Sequence, residues 1–127
     1  NSLKKYAKSL GSAFQKINFL RDLKSDYNDR GRLYFPNMNY LTLNNKEKKT
    51  IEKNILKDFS SGLIGIKKLP IDAKFGVYLT YSYYLKLFNK ISNLDVKIIK
   101  QKRIRISNFY KFIVFIKSFI FIKLNLI

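Results

Sequence analysis

Apolar residues recur at helical spacing through most of this 127-residue chain, and this periodicity limits the fold more than any other feature. Over residues 2–28 they follow the i, i+3, i+4 pattern of one buried helix face. The same spacing predicts a second helix over residues 45–68 and a third over 71–92. Pro70 separates these two, because proline cannot continue a helix but suits the first turn of the next one. The pattern therefore predicts an all-α chain.

The last segment, residues 108–124, is ambiguous because its Phe, Ile and Val residues are β-prone. A basic linker over Lys97–Arg105 precedes it, and Ser107 is a suitable N-cap for a fourth helix. Its longest uncharged runs are five residues, against the ~20 that a membrane span needs. At about 100° per residue its lysines lie roughly 120° apart, which predicts no clean polar face. These lysines are Lys111, Lys117 and Lys123.

The composition removes several kinds of chemistry. The chain contains no Cys and no His, which excludes disulfides, thiolate metal sites, Cys or Ser–His nucleophiles and imidazole bases. Any catalysis must use carboxylates, Lys, Arg, Tyr or a metal bound by oxygen ligands. Hydrophobic residues make up 46% of the chain, which is enough for a packed core.

The formal net charge of +18, from 26 Lys and Arg against 8 Asp and Glu, has two interpretations. The first interpretation is a basic helical module that binds nucleic acid or a membrane. The other is compositional drift, since Lys, Ile and Asn supply 49 of the 127 residues and all have A- and T-rich codons. Lys outnumbers Arg 21 to 5, although Arg is the better reader of phosphates and bases. This ratio favours a solvated basic surface.

A polar stripe on the first helix gathers the residues most suited to chemistry. With Gln15 set at zero and about 100° per residue, Asn18 falls near 300°, Asp22 near 340° and Asp26 near 20°. Two amides and two carboxylates thus share an arc of roughly 80°. Two acids at i, i+4 repel one another and, near a helix C-terminus, oppose the helix dipole. We therefore expect a cation to offset them.

Oxygen ligands that include two carboxylates suit Mg²⁺, which usually completes its shell with water and substrate phosphate oxygens. Nearby arginines could hold the same phosphates, since their guanidinium groups bind phosphate bidentately. These are Arg21, Arg30 and Arg32. Spacing alone leaves two interpretations open, a metal–phosphate site and a helix end that is acidic by chance.

The amino-acid sequence of this region resembles a known motif. Residues Leu10–Asp26 read LGSAFQKINFLRDLKSD, and GRLYFP follows at Gly31–Pro36. Together they resemble the second aspartate-rich motif of the squalene/phytoene synthase family, Gln-x-x-Asn-x-x-Arg-Asp-x-x-x-Asp with a downstream Gly-Arg-x-Tyr-x-Pro. Looser likenesses follow in the same order at Leu69–Val77, Tyr84–Ile91 and Arg103–Ser107. Within the family, the sequence around Asn18 and over Gly31–Pro36 is most similar to that of bacterial phytoene synthases.

The resemblance implies the C-terminal portion of the all-α isoprenoid (trans-prenyl diphosphate) synthase fold, with about four helices. The implied activity is head-to-head condensation of two geranylgeranyl diphosphates to phytoene through a cyclopropyl diphosphate, in carotenoid biosynthesis. The implied cofactor is Mg²⁺, with Mn²⁺ as a substitute. Squalene or dehydrosqualene synthesis from farnesyl diphosphate is the alternative within the family, and squalene formation would also need NADPH.

The resemblance also implies roles for single residues. Metal ligands are expected at Asn18, Asp22 and Asp26. Contacts to substrate diphosphate are expected from Gln15, Arg21, Arg32 and Arg103. Catalytic roles are expected for Asp22, Asp26 and Tyr84.

One departure from the family pattern is large, since the first aspartate-rich motif has no counterpart in this sequence. We therefore expect residues 1–127 to be the C-terminal fragment of a single synthase domain, inactive alone and with exposed hydrophobic surface. We expect no specific nucleic-acid partner. The expected location is the cytoplasm, with a peripheral contact of residues 109–127 on the inner face of the membrane.

Overall fold

The computed structural model describes residues 3–24 and 43–127 of the chain. Within these ranges the secondary structure is helical and contains no strand, so the all-α prediction is confirmed. Five helices lie wholly inside them, one more than predicted. They are α1 (Lys4–Arg21), α2 (Asn45–Lys67), α3 (Ile71–Ser92), α4 (Val96–Ile99) and α5 (Asn108–Lys123).

The end of α1 differs from the prediction of one continuous helix over residues 2–28. The helix ends at Arg21, and Asp22 takes a non-helical backbone (φ −110°, ψ 20°) before helical geometry resumes at Leu23. The side chains of Arg21 and Asp22 are joined by two hydrogen bonds. Adjacent residues do not face each other on an α-helix, so this pairing favours a turn at Asp22. Residues 25–28 lie outside the described ranges.

The start of α2 is set by a capping box. The Asn44 side chain accepts a hydrogen bond from the Glu47 amide at 2.9 Å, and the Glu47 carboxylate accepts one from the Asn44 amide at 3.3 Å. This pairing satisfies two amides that the first turn leaves without helical partners. One turn further, Lys48 is buried and pairs with Glu52.

Two glycines of α2 allow α1 to approach closely. A methyl group added at Gly65 would lie 2.4 Å from Cβ of Tyr6, and one at Gly62 would lie 2.9 Å from Cδ1 of Leu10. Further along the interface, Lys16 of α1 pairs with Asp58 of α2 at 2.7 Å. The α1–α2 packing therefore depends on small residues at the crossing.

The third helix completes the core on α1 and α2. Tyr81 and Phe88 pack edge-on against Phe59 of α2, with ring centroids 5.2 and 6.0 Å away. Burial raises the pKa of the Tyr81 hydroxyl. On the inner side of α2, Ile51, Ile55 and Phe59 are buried and Leu63 is partly buried.

The short helix α4 overlaps the start of the stretch that we predicted as a basic linker, so that prediction was wrong over residues 97–99. Asp95 caps it by accepting a hydrogen bond from the Lys97 amide at 2.9 Å, and Val96 and Ile99 are buried. The side chain of Asn45 donates to Asp95 and accepts from the Val96 amide. The Lys97 amide and the Asn45 side chain lower the pKa of the Asp95 carboxyl.

The ambiguous last segment forms helix α5. Its N-cap is Ser107, as predicted, whose hydroxyl accepts from the Tyr110 amide at 3.4 Å. Helix α5 packs on α3, where Phe75 meets Phe115 and Phe119 edge-on. No helix among the described residues is long and apolar enough to cross a membrane.

Candidate functional site

Asn18 is held in place by an aromatic residue of α3. The hydroxyl of Tyr84 donates a hydrogen bond to Oδ1 of Asn18 at 3.1 Å. The Tyr84 ring stacks on Phe14, with ring centroids 4.2 Å apart and planes 21° from parallel. Phe14 lies one helical turn before Asn18, so α1 provides both the ring that supports Tyr84 and the amide that Tyr84 orients.

Asp22, one turn further along α1, is paired with two arginines. The guanidinium of Arg21 donates from Nε to Oδ1 at 3.1 Å and from Nη2 to Oδ2 at 2.8 Å. Nε of Arg103 lies 3.1 Å from Oδ1 of the same carboxylate. The hydrogen bond to Asp22 raises the pKa of the Arg21 guanidinium. The expectation that a cation offsets Asp22 is therefore confirmed, although one of the two arginines is 81 positions away in sequence.

Arg103 reaches Asp22 because residues 103–107 run without helical structure between α4 and α5. Their side chains alternate, with Ile104 and Ile106 buried and Arg103, Arg105 and Ser107 exposed. Such alternation is typical of an extended segment with one side on a core. The basic residues of this segment therefore project away from the core on the side where Arg21 lies.

Arg21 and this segment border a cleft of about 370 Å³. Its wall is strongly cationic and also contains hydroxyl and amide groups, a composition suited to an anion. The residues that line it are Arg21, Tyr83, Arg103, Ile104, Arg105, Ile106, Ser107, Asn108 and Lys111. Sequence reasoning did not assign Phe14, Arg105 or Lys111 to a site. The alternating pattern over residues 103–107 is the signal that could have indicated Arg105.

The predicted site residues fall into three groups. Five of them are brought together by α1, α3 and the 103–107 segment. Gln15 lies on an exposed part of α1 and has no recorded part in this cluster. Asp26 and Arg32 lie outside the described residues, as does Arg30. The five clustered residues are Asn18, Arg21, Asp22, Tyr84 and Arg103.

The described part of the expected metal-ligand set consists of Asn18 and Asp22. Both offer oxygen donors, the ligand type that Mg²⁺ prefers. The Asp22 carboxylate has about four lone-pair positions, and the hydrogen bonds from Arg21 occupy two of them. The donor chemistry therefore fits a hard divalent cation. Residues 3–24 and 43–127 contain no group of three acidic ligands that could hold a metal by itself.

The sequence match extends over most of the chain. The model of the squalene/phytoene synthase family matches residues 1–110. The chain belongs to the squalene/phytoene synthase family. Membership assigns it to the prenyltransferase-type enzymes of isoprenoid biosynthesis, with the all-α isoprenoid synthase fold. No curated protein and no solved structure gives a significant match.

Proposed function

We propose that this chain supplies one wall of the active site of a phytoene synthase, an enzyme that joins two geranylgeranyl diphosphates head to head. The observation that carries the proposal is the convergence of Asn18, Asp22, Tyr84 and two arginines at the end of α1. Three separate segments position these groups. Such a cluster can bind an anionic group and orient it.

The arginines are placed to bind the diphosphate group of the substrate. Arg21 and Arg103 share the Asp22 carboxylate, which holds both guanidinium planes at the edge of the cationic cleft. Ionisation of a prenyl diphosphate separates an allylic cation from an anionic leaving group, so donors fixed near the leaving oxygens lower the barrier. Arg32 and Gln15 are proposed to contact the same diphosphate.

The aromatic pair is proposed to stabilise the allylic cation that ionisation of the substrate produces. The stacked rings of Phe14 and Tyr84 offer π faces that stabilise a nearby cation. The Tyr84 hydroxyl also fixes the Asn18 amide, so a substitution at Tyr84 changes both features. We assign Tyr84 a role in the reaction on this basis.

Asn18, Asp22 and Asp26 are the residues that would hold Mg²⁺. The bound ion would supply positive charge against the diphosphate oxygens. The first aspartate-rich motif of the family, on another helix, is expected to hold the other substrate, because two reactants must be aligned before they condense. We propose that residues 1–127 are the C-terminal part of that single domain and are inactive without the other part.

The test supplies the missing part from a family member, together with geranylgeranyl diphosphate and Mg²⁺, and measures phytoene by chromatography. We expect the double variant Asp22→Ala, Asp26→Ala to lose at least a hundredfold in rate. The matched control is Asp72→Ala, which removes an exposed acid in the first turn of α3 and should keep nearly full activity. Wild-type rates from the double variant would refute the proposed roles. If the enzyme formed squalene or dehydrosqualene from farnesyl diphosphate and no phytoene from geranylgeranyl diphosphate, it would use the shorter substrate of the alternative.

A further inference from the structure

Helix α5 has an inner side that packs on α3. Ser118 is buried with 1% of its surface exposed, and Phe121 stacks near Tyr78 of α3 with ring centroids 6.4 Å apart. Lys111 also lies on this side, where its ammonium group sits 5.8 Å from the centroid of the Tyr83 ring. These contacts fix the rotation of α5 about its own axis.

The side of α5 opposite Ser118 is apolar and exposed. At about 100° per residue, six large apolar residues fall in an arc of roughly 120° on this side. Their exposed fractions run from 39% to 67%. They form what we call the outward face of α5, namely Phe109, Phe112, Ile113, Ile116, Phe119 and Ile120. Phe119 lies at the edge of this face, where its ring also meets Phe75 of α3.

Two of the three lysines of α5 lie outside the arc of this face, and the third, Lys123, falls within the arc but at its C-terminal end, beyond Ile120. Lys111 lies on the α3 side, and Lys117 lies on the flank with its ammonium group 5.4 Å from the Phe121 ring centroid. Lys123 is in the last turn, beside Phe119. An apolar face with cations at its margins is the arrangement of helices that lie in a membrane interface.

Charge distinguishes between the occupants that could cover the outward face. Residues 96–127 contain eight Lys and Arg and no Asp or Glu, and the whole chain carries +18. A second copy would bring the same cations face to face, whereas an anionic surface would complement them. The family match ends at residue 110, so most of α5 lies beyond the part that the family shares.

We propose that the outward face of α5 docks on an anionic lipid bilayer, with the helix axis in the plane of the interface. The apolar side chains enter the boundary between headgroups and acyl chains, while the lysines extend along their methylene stems to the headgroups. This interaction is independent of the proposed catalytic roles. It needs no substrate and no metal.

Flotation of the full chain with vesicles tests the apolar part of the proposal, because vesicle-bound protein floats and aggregated protein sinks. The vesicles are phosphatidylcholine alone and phosphatidylcholine with 30% phosphatidylglycerol. We expect at least tenfold tighter binding to the second kind. An outward-face triple variant should lose at least tenfold in that affinity, and a control triple with similarly exposed side chains elsewhere should change less than twofold. The outward-face triple variant carries Phe109→Gln, Phe112→Gln and Ile116→Gln. The control triple variant carries Leu56→Gln, Ile64→Gln and Ile71→Gln.

A second pair of variants tests the charges. Lys117→Glu with Lys123→Glu should weaken binding to anionic vesicles at least tenfold, because the change removes two cations beside the anionic surface and adds two anions. Lys46→Glu with Lys53→Glu makes the same change in net charge on the exposed side of α2 and should weaken it less than threefold. Helical content measured by circular dichroism confirms that each variant is folded.

Several outcomes would overturn the proposal. Equal binding by the two triple variants would show that the outward face is not the docking surface. A wild-type dimer in solution that the outward-face triple converts to a monomer would assign the face to a second copy. Tight binding of duplex DNA at 150 mM salt, with no preference for anionic vesicles, would assign the basic surface to nucleic acid.

Discussion

The close approach of α1 and α2 at Gly65 makes the Gly65→Ala substitution a sharp test of the fold. The added methyl carbon would lie 2.4 Å from Cβ of Tyr6, about 1 Å inside an ordinary carbon–carbon contact of 3.5–4 Å. Because Cβ of Tyr6 is attached directly to the backbone of α1, no side-chain rotation can relieve the clash. The two helices would have to separate along their interface.

The magnitude follows from two opposing effects. Replacing Gly by Ala within a helix stabilises it by about 1 kcal/mol, while overpacking a well-packed interface costs about 1–3 kcal/mol and sometimes more. Because the clash involves an atom attached to the backbone, the overpacking cost lies at the upper end, about 2–3 kcal/mol, and we expect a net loss of about 1–2 kcal/mol in the free energy of unfolding. For an m value of about 2 kcal/mol/M, the middle of the usual range, the urea midpoint should fall by about 0.5–1 M.

The assay is urea unfolding followed by far-ultraviolet circular dichroism, with Gly76→Ala as the matched control. A methyl group at Gly76 of α3 meets no atom within 4 Å, so that variant should be more stable than the wild type by about 0.5–1 kcal/mol. If the Gly65 and Gly76 variants gained stability equally, the close α1–α2 crossing would be refuted.

Three further outcomes test local interactions. Lys48→Met should lower the free energy of unfolding by about 1–3 kcal/mol, because it leaves the partly buried Glu52 carboxylate without its cation. Lys49→Met, at an exposed position, should change it by no more than about 0.5 kcal/mol. Equal urea midpoints for the two variants would contradict this. Tyr84→Phe should cost about 0.5–1.5 kcal/mol through the lost bond to Asn18, and an unchanged midpoint would argue against that bond. The pKa of the Asp95 carboxyl is lowered by folding, so it adds stability above its unfolded pKa that is lost as the pH falls through the folded value. The gap in urea midpoint between wild type and Asp95→Asn should therefore shrink below about pH 4, and a gap that is constant from pH 3 to 7 would rule this out.

Within the described residues, the sequence by itself was sufficient for the two longest helices, α2 and α3. Apolar periodicity and the position of Pro70 predicted residues 45–68 and 71–92, and the structure has Asn45–Lys67 and Ile71–Ser92. Such elements depend on local contacts between residues three and four apart, and these can be read from one segment. The motif around Asn18 and Asp22 indicated the family for a similar reason, because its spacing lies within one stretch of chain.

Tertiary structure decided the features that depend on distant partners. Asp22 pairs with Arg103, which lies 81 positions away in the sequence. No local sequence pattern encodes that contact. The outward face of α5 was equally hidden, since three evenly spaced lysines predicted only that the helix has no clean polar face. Packing of Ser118 and Lys111 toward α3 fixed the rotation of the helix. A periodic sequence defines which residues share a face, but only the neighbouring helix determines which face is turned outward.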